Sequence, residues 1–402
     1  MAGKYRPLST RSFKSVQIPK RIPPGSTLGV LGTGQLGRMF CQAARRYGYN
    51  TFCWGPPGIS PCTGVADCIL QADWQDREAF SEFCAKCIAV TMELEQVCPD
   101  LLERIEQRLP LQPSWETVFV CQDRIREKNW LHRHGFPTNR YSVLTSTADL
   151  QSAAAAVGYP AVLKTASGGY DGHGQTKVHN LEELQAAWQK FQNRPCVLEE
   201  WLEDIREISV VTARDCFGES RCFPVCENIH KNHILAMTVM PARITKSVSE
   251  KARAFATQIC QTMRLNGLLT VEFFLTRENV LLVNELAPRP HNSGHATIDA
   301  CSHSQFDLQV LALTRHNLPV VEIKTNAVMV NLLGQLWNQG APDFAPLSKN
   351  NNFKLHLYGK TVAKVGRKMG HLTVLGKFAE KYLETLQKLA EDQQPELLKS
   401  LS

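Results

Sequence analysis

No stretch of this 402-residue chain is apolar over the roughly 18 residues that a membrane-spanning helix requires, so no membrane partner is expected. No acidic residue precedes Asp67, whereas Lys4, Arg6, Arg11, Lys14, Lys20 and Arg21 crowd residues 1–24. Organelle transit peptides share that composition, and so do flexible basic extensions of the kind that Pro23-Pro24 would close off. A cytoplasmic setting is expected, with organelle import through residues 1–24 left open. A disulfide framework is also missing: the 14 cysteines are scattered along the chain and read as reduced thiols. Cys84 and Cys87 make an isolated C-x-x-C, and Cys222 with Cys226 a looser pair; without a second spaced pair, structural zinc is not expected. Repeats and low-complexity tracts are absent too.

The composition is that of a folded protein, 43% hydrophobic and long enough for two or three cores. Its net charge of +7, from 45 Lys and Arg against 38 acids, is mild. Such a charge suits the steering of small phosphorylated anions, and no nucleic-acid partner is expected.

Apolar runs alternate with helical patterns from the start. Thr27–Leu31 reads as a buried strand, Gly32-Thr-Gly34-Gln-Leu-Gly37 turns into a helix, and Asn50–Trp54 and Ile88–Met92 follow as strands around a helical Arg77–Ala85. The pattern predicts an α/β fold that opens with a parallel sheet covered by helices, ending near Pro110 and Pro113. A helix is predicted near Cys121, strands at Pro160–Lys164, Cys196–Leu198 and Ile208–Thr212, and a hairpin from Leu268–Leu275 and Asn279–Glu285. The last region, Ala327–Gly334 and Phe353–Leu375, is again strand-rich.

Four segments carry chemistry. The glycine loop at Gly32, Gly34 and Gly37 would suit a dinucleotide, but no acid follows the next strand to hold a ribose hydroxyl, so nicotinamide binding is disfavoured. A substrate phosphate or a simple tight turn remain as readings. Lys164 ends a strand just before glycine-rich Ser167–Gln175, a pairing suited to closing backbone N–H groups over phosphate oxygens while a lysine supplies charge. Glu272 and Glu285 lie inside apolar strands with Asn284 beside them; such hard oxygen ligands suit magnesium, and the plain alternative is a buried cation such as Arg289. Pro288-Arg-Pro-His-Asn-Ser-Gly-His295 packs cation, imidazole, amide and hydroxyl together, and Lys360, Lys364, Arg367, Lys368 and His371 form a glycine-spaced basic cluster able to clamp a phosphomonoester.

Taken in order, GTGQLGRM, QDRIREK, KTASGGYDGHGQ, LEEWLEDIREIS, ENIHKNHIL, VEFF, NELAPRPHNSGH, SQFDLQ, MVNLLG and GRKMGH resemble the ATP-grasp superfamily and, within it, the 5-(carboxyamino)imidazole ribonucleotide synthases. The resemblance runs from Gly29 to about Gly376. It implies a doubly wound preATP-grasp domain over 25–119, an ATP-grasp domain over 120–318 with a glycine-rich lid at about 145–200, and a small strand-rich C-terminal domain over 322–390. ATP and Mg2+ are the implied cofactors, with aminoimidazole ribonucleotide and bicarbonate as substrates and a homodimer as the assembly.

Carried over by similarity, Arg124 and Lys164 contact ATP phosphates, Gly169, Tyr170, Asp171, Gly172, His173, Gly174 and Gln175 form the lid, and Glu199, Glu200, Trp201 and Leu202 hold adenine. Glu207 grips the ribose, His230 is a further nucleotide contact, and Glu272 and Glu285 hold magnesium beside Asn284. Gln35, Asn292, Ser293, Lys360, Arg367 and Lys368 would hold the ribonucleotide. Tyr170, Asp171, Arg289 and His295 would serve catalysis, with Asp171 or His295 taking the amine proton. His173 stands where the resemblance leads one to expect Lys or Arg, so lid charge there would depend on pH. Competing readings are a formate-dependent glycinamide ribonucleotide transformylase, a biotin carboxylase, and a nucleotide binder without catalysis.

Overall fold

The computed structural model describes residues 20–169 and 174–401. Residues 1–19 of the basic extension, and the lid positions Tyr170, Asp171, Gly172 and His173, lie outside them. No helix among the described residues is long and apolar enough to cross a membrane.

Five parallel strands open the fold: β1 (Thr27–Leu31), β2 (Asn50–Gly55), β3 (Cys68–Gln71), β4 (Ala89–Met92) and β5 (Leu111–Gln112). They lie in the order β3-β2-β1-β4-β5. This order places a topological switch point between β1 and β4, where ligands of doubly wound sheets gather at the carboxyl ends of the strands. Both faces are covered, so the strands read as continuous apolar runs. On one face Phe83 is fully buried, its ring 5.4 Å from both Phe52 and Trp54. Gly29 permits this: a Cβ there would stand 2.7 Å from Phe83 Cζ.

A small antiparallel sheet follows, β6 (Tyr141–Leu144), β7 (Ala161–Thr165), β8 (Gln175–Val178) and β9 (Cys196–Glu200), in the order β6-β9-β7-β8. Two helices, Asp149–Val157 and Leu181–Lys190, pack Leu150, Ala153, Leu184 and Trp188 against it. The helix expected to start near Cys121 is Arg124–Arg133, and a further short helix, Trp115–Cys121, precedes it. They part because the Asp123 carboxylate accepts the Arg126 N–H at 2.9 Å and caps a new start. The Arg124 N–H donates to Ala166 O at 2.8 Å, so this start is tied to the glycine-rich segment after β7.

The remaining strands form one nine-stranded sheet: β10 (Arg206–Arg214), β11 (Ser220–Cys222), β12 (Cys226–Lys231), β13 (Ile234–Met240), β14 (Gly267–Leu275), β15 (Leu281–Ala287), β16 (Ala327–Leu333), β17 (Phe353–Leu357) and β18 (Lys368–Leu375). The path runs β15-β14-β10-β12-β13-β16-β18-β17, with β11 against β10. The strand-rich C-terminal region is thus continuous with the central sheet through the β13–β16 pairing. The helices Leu383–Asp392 and Glu396–Lys399 cover it with buried Leu386, Leu389 and Leu398.

Truncating Phe83 to alanine removes the ring that fills one face of the first sheet. The expected loss is about 3–5 kcal/mol, read as a lower urea midpoint for that unit; an unchanged midpoint would show that the face is not tightly packed.

Candidate active site

Three units converge on one cavity of about 890 Å³, well within the size range of small-molecule sites. Its floor is the β14–β15 hairpin. Glu272 and Glu285 are direct cross-strand partners, and a register shift follows them, with Phe273 pairing next to Val283. Asn284 is therefore the extra residue of a β-bulge, and both Asn284 and Glu285 line the cavity instead of alternating across the sheet. The Asn284 Oδ1 is buried with no hydrogen-bond partner. Arg124 Nη1 lies 3.1 Å from Glu285 Oε2, and His291 Nε2 lies 2.9 Å from Glu272 Oε1. Burial works to raise the Glu272 carboxyl, but His291, with His230 and Arg289, holds it down at about 2. Arg289 is not the direct partner proposed for these acids: it forms a forked ion pair with Glu95, Nη2 to Oε1 at 3.1 Å.

Lys164, at the end of β7, is oriented from behind. Its Nζ donates to Glu199 Oε2 at 2.9 Å, and Lys128 Nζ approaches the same oxygen at 3.5 Å. Asn139 completes the group, accepting from Lys128 at 3.0 Å and donating to Glu199 at 3.1 Å. Burial alone would raise Glu199, yet Lys128, Lys164 and Arg124 pull it well below the usual carboxylate range. Glu199 and Lys128 are fully buried, so this ion set is shielded from the screening that weakens surface pairs.

The end of β9 supplies Glu200 to the wall, and the connector after it supplies Trp201 and Leu202. The Glu200 side chain turns to Arg140, at 2.7 Å and 3.0 Å, and Lys177 stands 4.2 Å over the Trp201 ring. Opposite them, His230 Nδ1 lies 2.9 Å from Glu207 Oε2. Burial works to lower the His230 imidazole, but Glu207 beside it leaves it raised overall.

At the other end the glycine loop after β1 meets the loop after β4. The Gly34 N–H and, at 2.7 Å, the Gly37 N–H donate to the Glu93 carboxylate. Those donors are engaged within the protein, which favours the structural reading of the loop over a phosphate cradle. A Cβ on Gly34 would stand 2.6 Å from Glu93 Oε1, so glycine is required for the approach. Burial pushes Glu93 up, against these two N–H bonds. Gln35 Oε1 accepts from Lys360 Nζ at 2.8 Å, and Lys368 O from the same group at 2.6 Å. Burial and the neighbouring Arg367 and Lys368 bring Lys360 down to about 8.

Of the residues singled out from the sequence, the cavity wall gathers Gln35, Arg124, Lys164, Gly169, Gly174, Gln175, Glu200, Trp201, Leu202, Glu207, His230, Glu272, Asn284, Glu285, Arg289, Asn292 and Lys368. Glu199 stands behind the wall, and so does Ser293, bonded to Ser209 Oγ and His291 Nδ1 at 2.8 Å each. Arg367 Nη1 donates to Val362 O at 3.0 Å. His295 does not reach the cavity wall. It is fully buried, its ring 4.9 Å from that of His371, and burial pushes its imidazole well down. Of the two histidines in this segment His291 is the one on the wall, because the turn Asn292–Gly294 carries the chain inward after it. Sequence reasoning singled out the segment that contains His291 without giving that residue its own role, and it passed over Glu93, Glu95 and Lys128. The signal for the two glutamates was available: Met92-Glu-Leu-Glu95 follows an apolar parallel strand next to a glycine loop.

A strand-borne lysine with a glycine-rich segment, a small antiparallel sheet, and facing carboxylates on a larger sheet define an ATP-grasp enzyme. Family descriptions agree: a ribonucleotide synthetase preATP-grasp domain matches residues 26–122, an ATP-grasp domain 129–306, and a phosphoribosylaminoimidazole carboxylase C-terminal domain 327–385. The N5-carboxyaminoimidazole ribonucleotide synthase of Staphylococcus aureus (strain COL) is 37% identical over 352 residues, covering 87% of this chain and 93% of that relative. A crystal structure of the Staphylococcus aureus synthetase with ADP superposes with a TM-score of 0.86 at 35% identity, over 92% of this chain and 98% of that one. The Aspergillus clavatus synthase, in complex with ADP and 5-aminoimidazole ribonucleotide, gives 0.81 at 29% identity, over 91% and 98%. The chain belongs to the N5-carboxyaminoimidazole ribonucleotide synthase family.

Replacing Lys128 by methionine leaves Glu199 buried with one lysine fewer, and stability is expected to fall by about 3–5 kcal/mol in denaturant titration. Because the Glu199 carboxyl is held down in the folded state, the stabilisation is full above its unfolded value and lost as pH falls through the folded one. The variant is therefore expected to lose part of the wild-type acid sensitivity; equal curves for the two proteins would dismiss the network.

Proposed function

We propose that this protein uses ATP to carboxylate 5-aminoimidazole ribonucleotide with bicarbonate, releasing ADP and phosphate and giving the N5-carboxy product of purine synthesis. The observation that carries the reading is Glu272 facing Glu285 across β14 and β15, with the unpartnered Asn284 Oδ1 beside them in the cavity that Lys164 and Arg124 enter. Two carboxylates and an amide oxygen suit a hard divalent cation, and Mg2+ is the ion we assign to Glu272, Glu285 and Asn284. When bound, it would offset charge on the nucleotide phosphates.

The remaining work falls to the chain's own residues. Lys164 and Arg124 neutralise phosphate oxygens as bicarbonate attacks the terminal phosphoryl group, and Lys164 arrives already oriented by Glu199. Trp201 and Leu202 bracket the base, and Glu207 accepts from ribose hydroxyls while held by His230. The carboxyphosphate so formed is short-lived in water, and the glycine-rich segment from Gly169 to Gln175 is assigned to cover it. Lys360, Arg367 and Lys368 take the ribonucleotide phosphate, and Arg289, fixed by Glu95, orients the carboxyl group to be transferred. Asp171 and the raised carboxyl of Glu93 are the groups assigned to the amine proton. We also assign a homodimer, which light scattering tests, and a cytoplasmic setting.

Supplied with ATP, bicarbonate and aminoimidazole ribonucleotide, the protein is expected to release ADP only when all three are present. Release driven instead by formate and glycinamide ribonucleotide would overturn the reading. Glu285→Gln keeps the shape but loses the charge, and turnover is expected to drop about a hundredfold or more with an unchanged circular dichroism spectrum; full activity would refute the metal assignment. As pH rises through about 8, Lys360 loses its proton and with it the attraction for phosphate. kcat/KM for the ribonucleotide is therefore expected to fall above that pH, and Lys360→Arg, which stays charged, is expected to remove the limb. Identical profiles for the two proteins would assign the limb elsewhere.

A further inference from the structure

Behind the glycine loop, away from the chemistry described so far, three thiols meet. Cys41 comes from the helix Gln35–Arg46, Cys53 from β2 and Cys62 from the segment after β2. Their Sγ atoms lie within 4.8 Å of one another, with Cys41 and Cys53 at 3.4 Å. All three are fully buried in the core that contains Val30, Met39 and Phe40. Among the described residues, no other three His, Cys, Asp or Glu side chains bring their donor atoms together in this way.

A buried cysteine by itself is a small apolar side chain. Three whose sulfurs converge from separate elements form a soft donor set, and soft donors select thiophilic ions. We propose that Cys41, Cys53 and Cys62 form a binding site for a thiophilic metal or metalloid, best matched by a trivalent one such as arsenic(III). Charge decides the preference. Arsenous acid, As(OH)3, reacts with three thiols by breaking three As–O and forming three As–S bonds; three waters leave carrying the thiol protons, and no electrons are exchanged. The product is neutral. A divalent ion held by three thiolates would leave one buried negative charge and a monovalent ion two, each costly in an apolar core, and zinc prefers a fourth donor. Hydrogen bonds from Cys53 and Cys62 already favour the thiolate on Cys41, which eases the first exchange.

The site bears on the substrate wall through Cys62. Its N–H donates to Thr33 O at 3.2 Å and its Sγ lies 3.6 Å from Gly34 O. A Cβ on Gly37 would stand 3.1 Å from Cys62 Sγ and 3.3 Å from Glu93 Oε2, so thiol and carboxylate flank the same backbone. Drawing Cys62 toward a bound centre shifts the loop that holds Glu93. KM for the ribonucleotide is expected to change while KM for ATP does not, an effect that rests on the proposed function, whereas binding does not.

The test uses the reduced full-length chain and arsenite. The expected result is one arsenic retained per chain after gel filtration, with three sulfur neighbours by X-ray absorption. Cys62→Ser is expected to weaken retention by at least about tenfold and to reduce the shell to two sulfurs, while Cys84→Ser, in the C-x-x-C, leaves both unchanged. Circular dichroism checks that Cys62→Ser folds, and the wild-type sulfur count stands even if it does not. A wild-type shell of two sulfurs, no retained arsenic, or equal retention by Cys62→Ser would overturn the site. Tighter retention of zinc or copper(I) than of arsenite would overturn the trivalent preference.

Discussion

One carboxylate buried between two lysines organises the end of the cavity that Lys164 and Arg124 enter. Glu199 is fully buried and meets Lys128 and Lys164 through a single oxygen. An isolated ion in that position would be too costly to keep, so the three side chains stabilise one another or fail together. They belong to different elements: Glu199 to β9, Lys164 to β7 and Lys128 to the helix Arg124–Arg133. Their mutual requirement locks that helix against the small sheet, which in turn sets where Arg124 stands over Glu285. The direction in which Lys164 enters the cavity thus follows from an electrostatic constraint located behind it.

The acidic floor depends on a different device. In a regular strand Asn284 and Glu285 would face opposite sides of the sheet. The bulge opposite Glu272 turns both into the cavity, and the same irregularity leaves the Asn284 oxygen without an internal partner. A backbone deviation has produced a concentration of oxygen donors that no regular hairpin of these residues would give.

Much of this was legible in the sequence because it depends on local pattern. Parallel alternation, a lysine near the end of its strand, and two acids in apolar strands are all short-range signals, and each appears in the structure as a strand or a cross-strand pair. What was not legible depends on distant partners. His295 carries the same chemistry as His291, and only the turn between them decides which ring reaches the wall. Arg289 was matched with the nearest acids in sequence and instead found Glu95 across the fold. Lys128 lies in a helix rich in charge, where nothing local marks it as the one cation that goes inside. The helix start expected near Cys121 is the one that Asp123 caps at Arg124, and the short helix Trp115–Cys121 before it was not foreseen.

The unbroken sheet from β15 to β17 has a mechanical meaning. Near its two edges lie the facing acids of β14 and β15 and the basic start of β18, and the span between them is bridged at every step by backbone hydrogen bonds. Separation between these two groups is therefore gauged by strand spacing, about 4.8 Å for each neighbour, and not by side-chain reach. Such a frame resists hinge motion. The smaller four-stranded sheet, with the helix Arg124–Arg133, lies outside this ladder and meets it through side chains, such as Arg124 on Glu285 and Gln175 on His233.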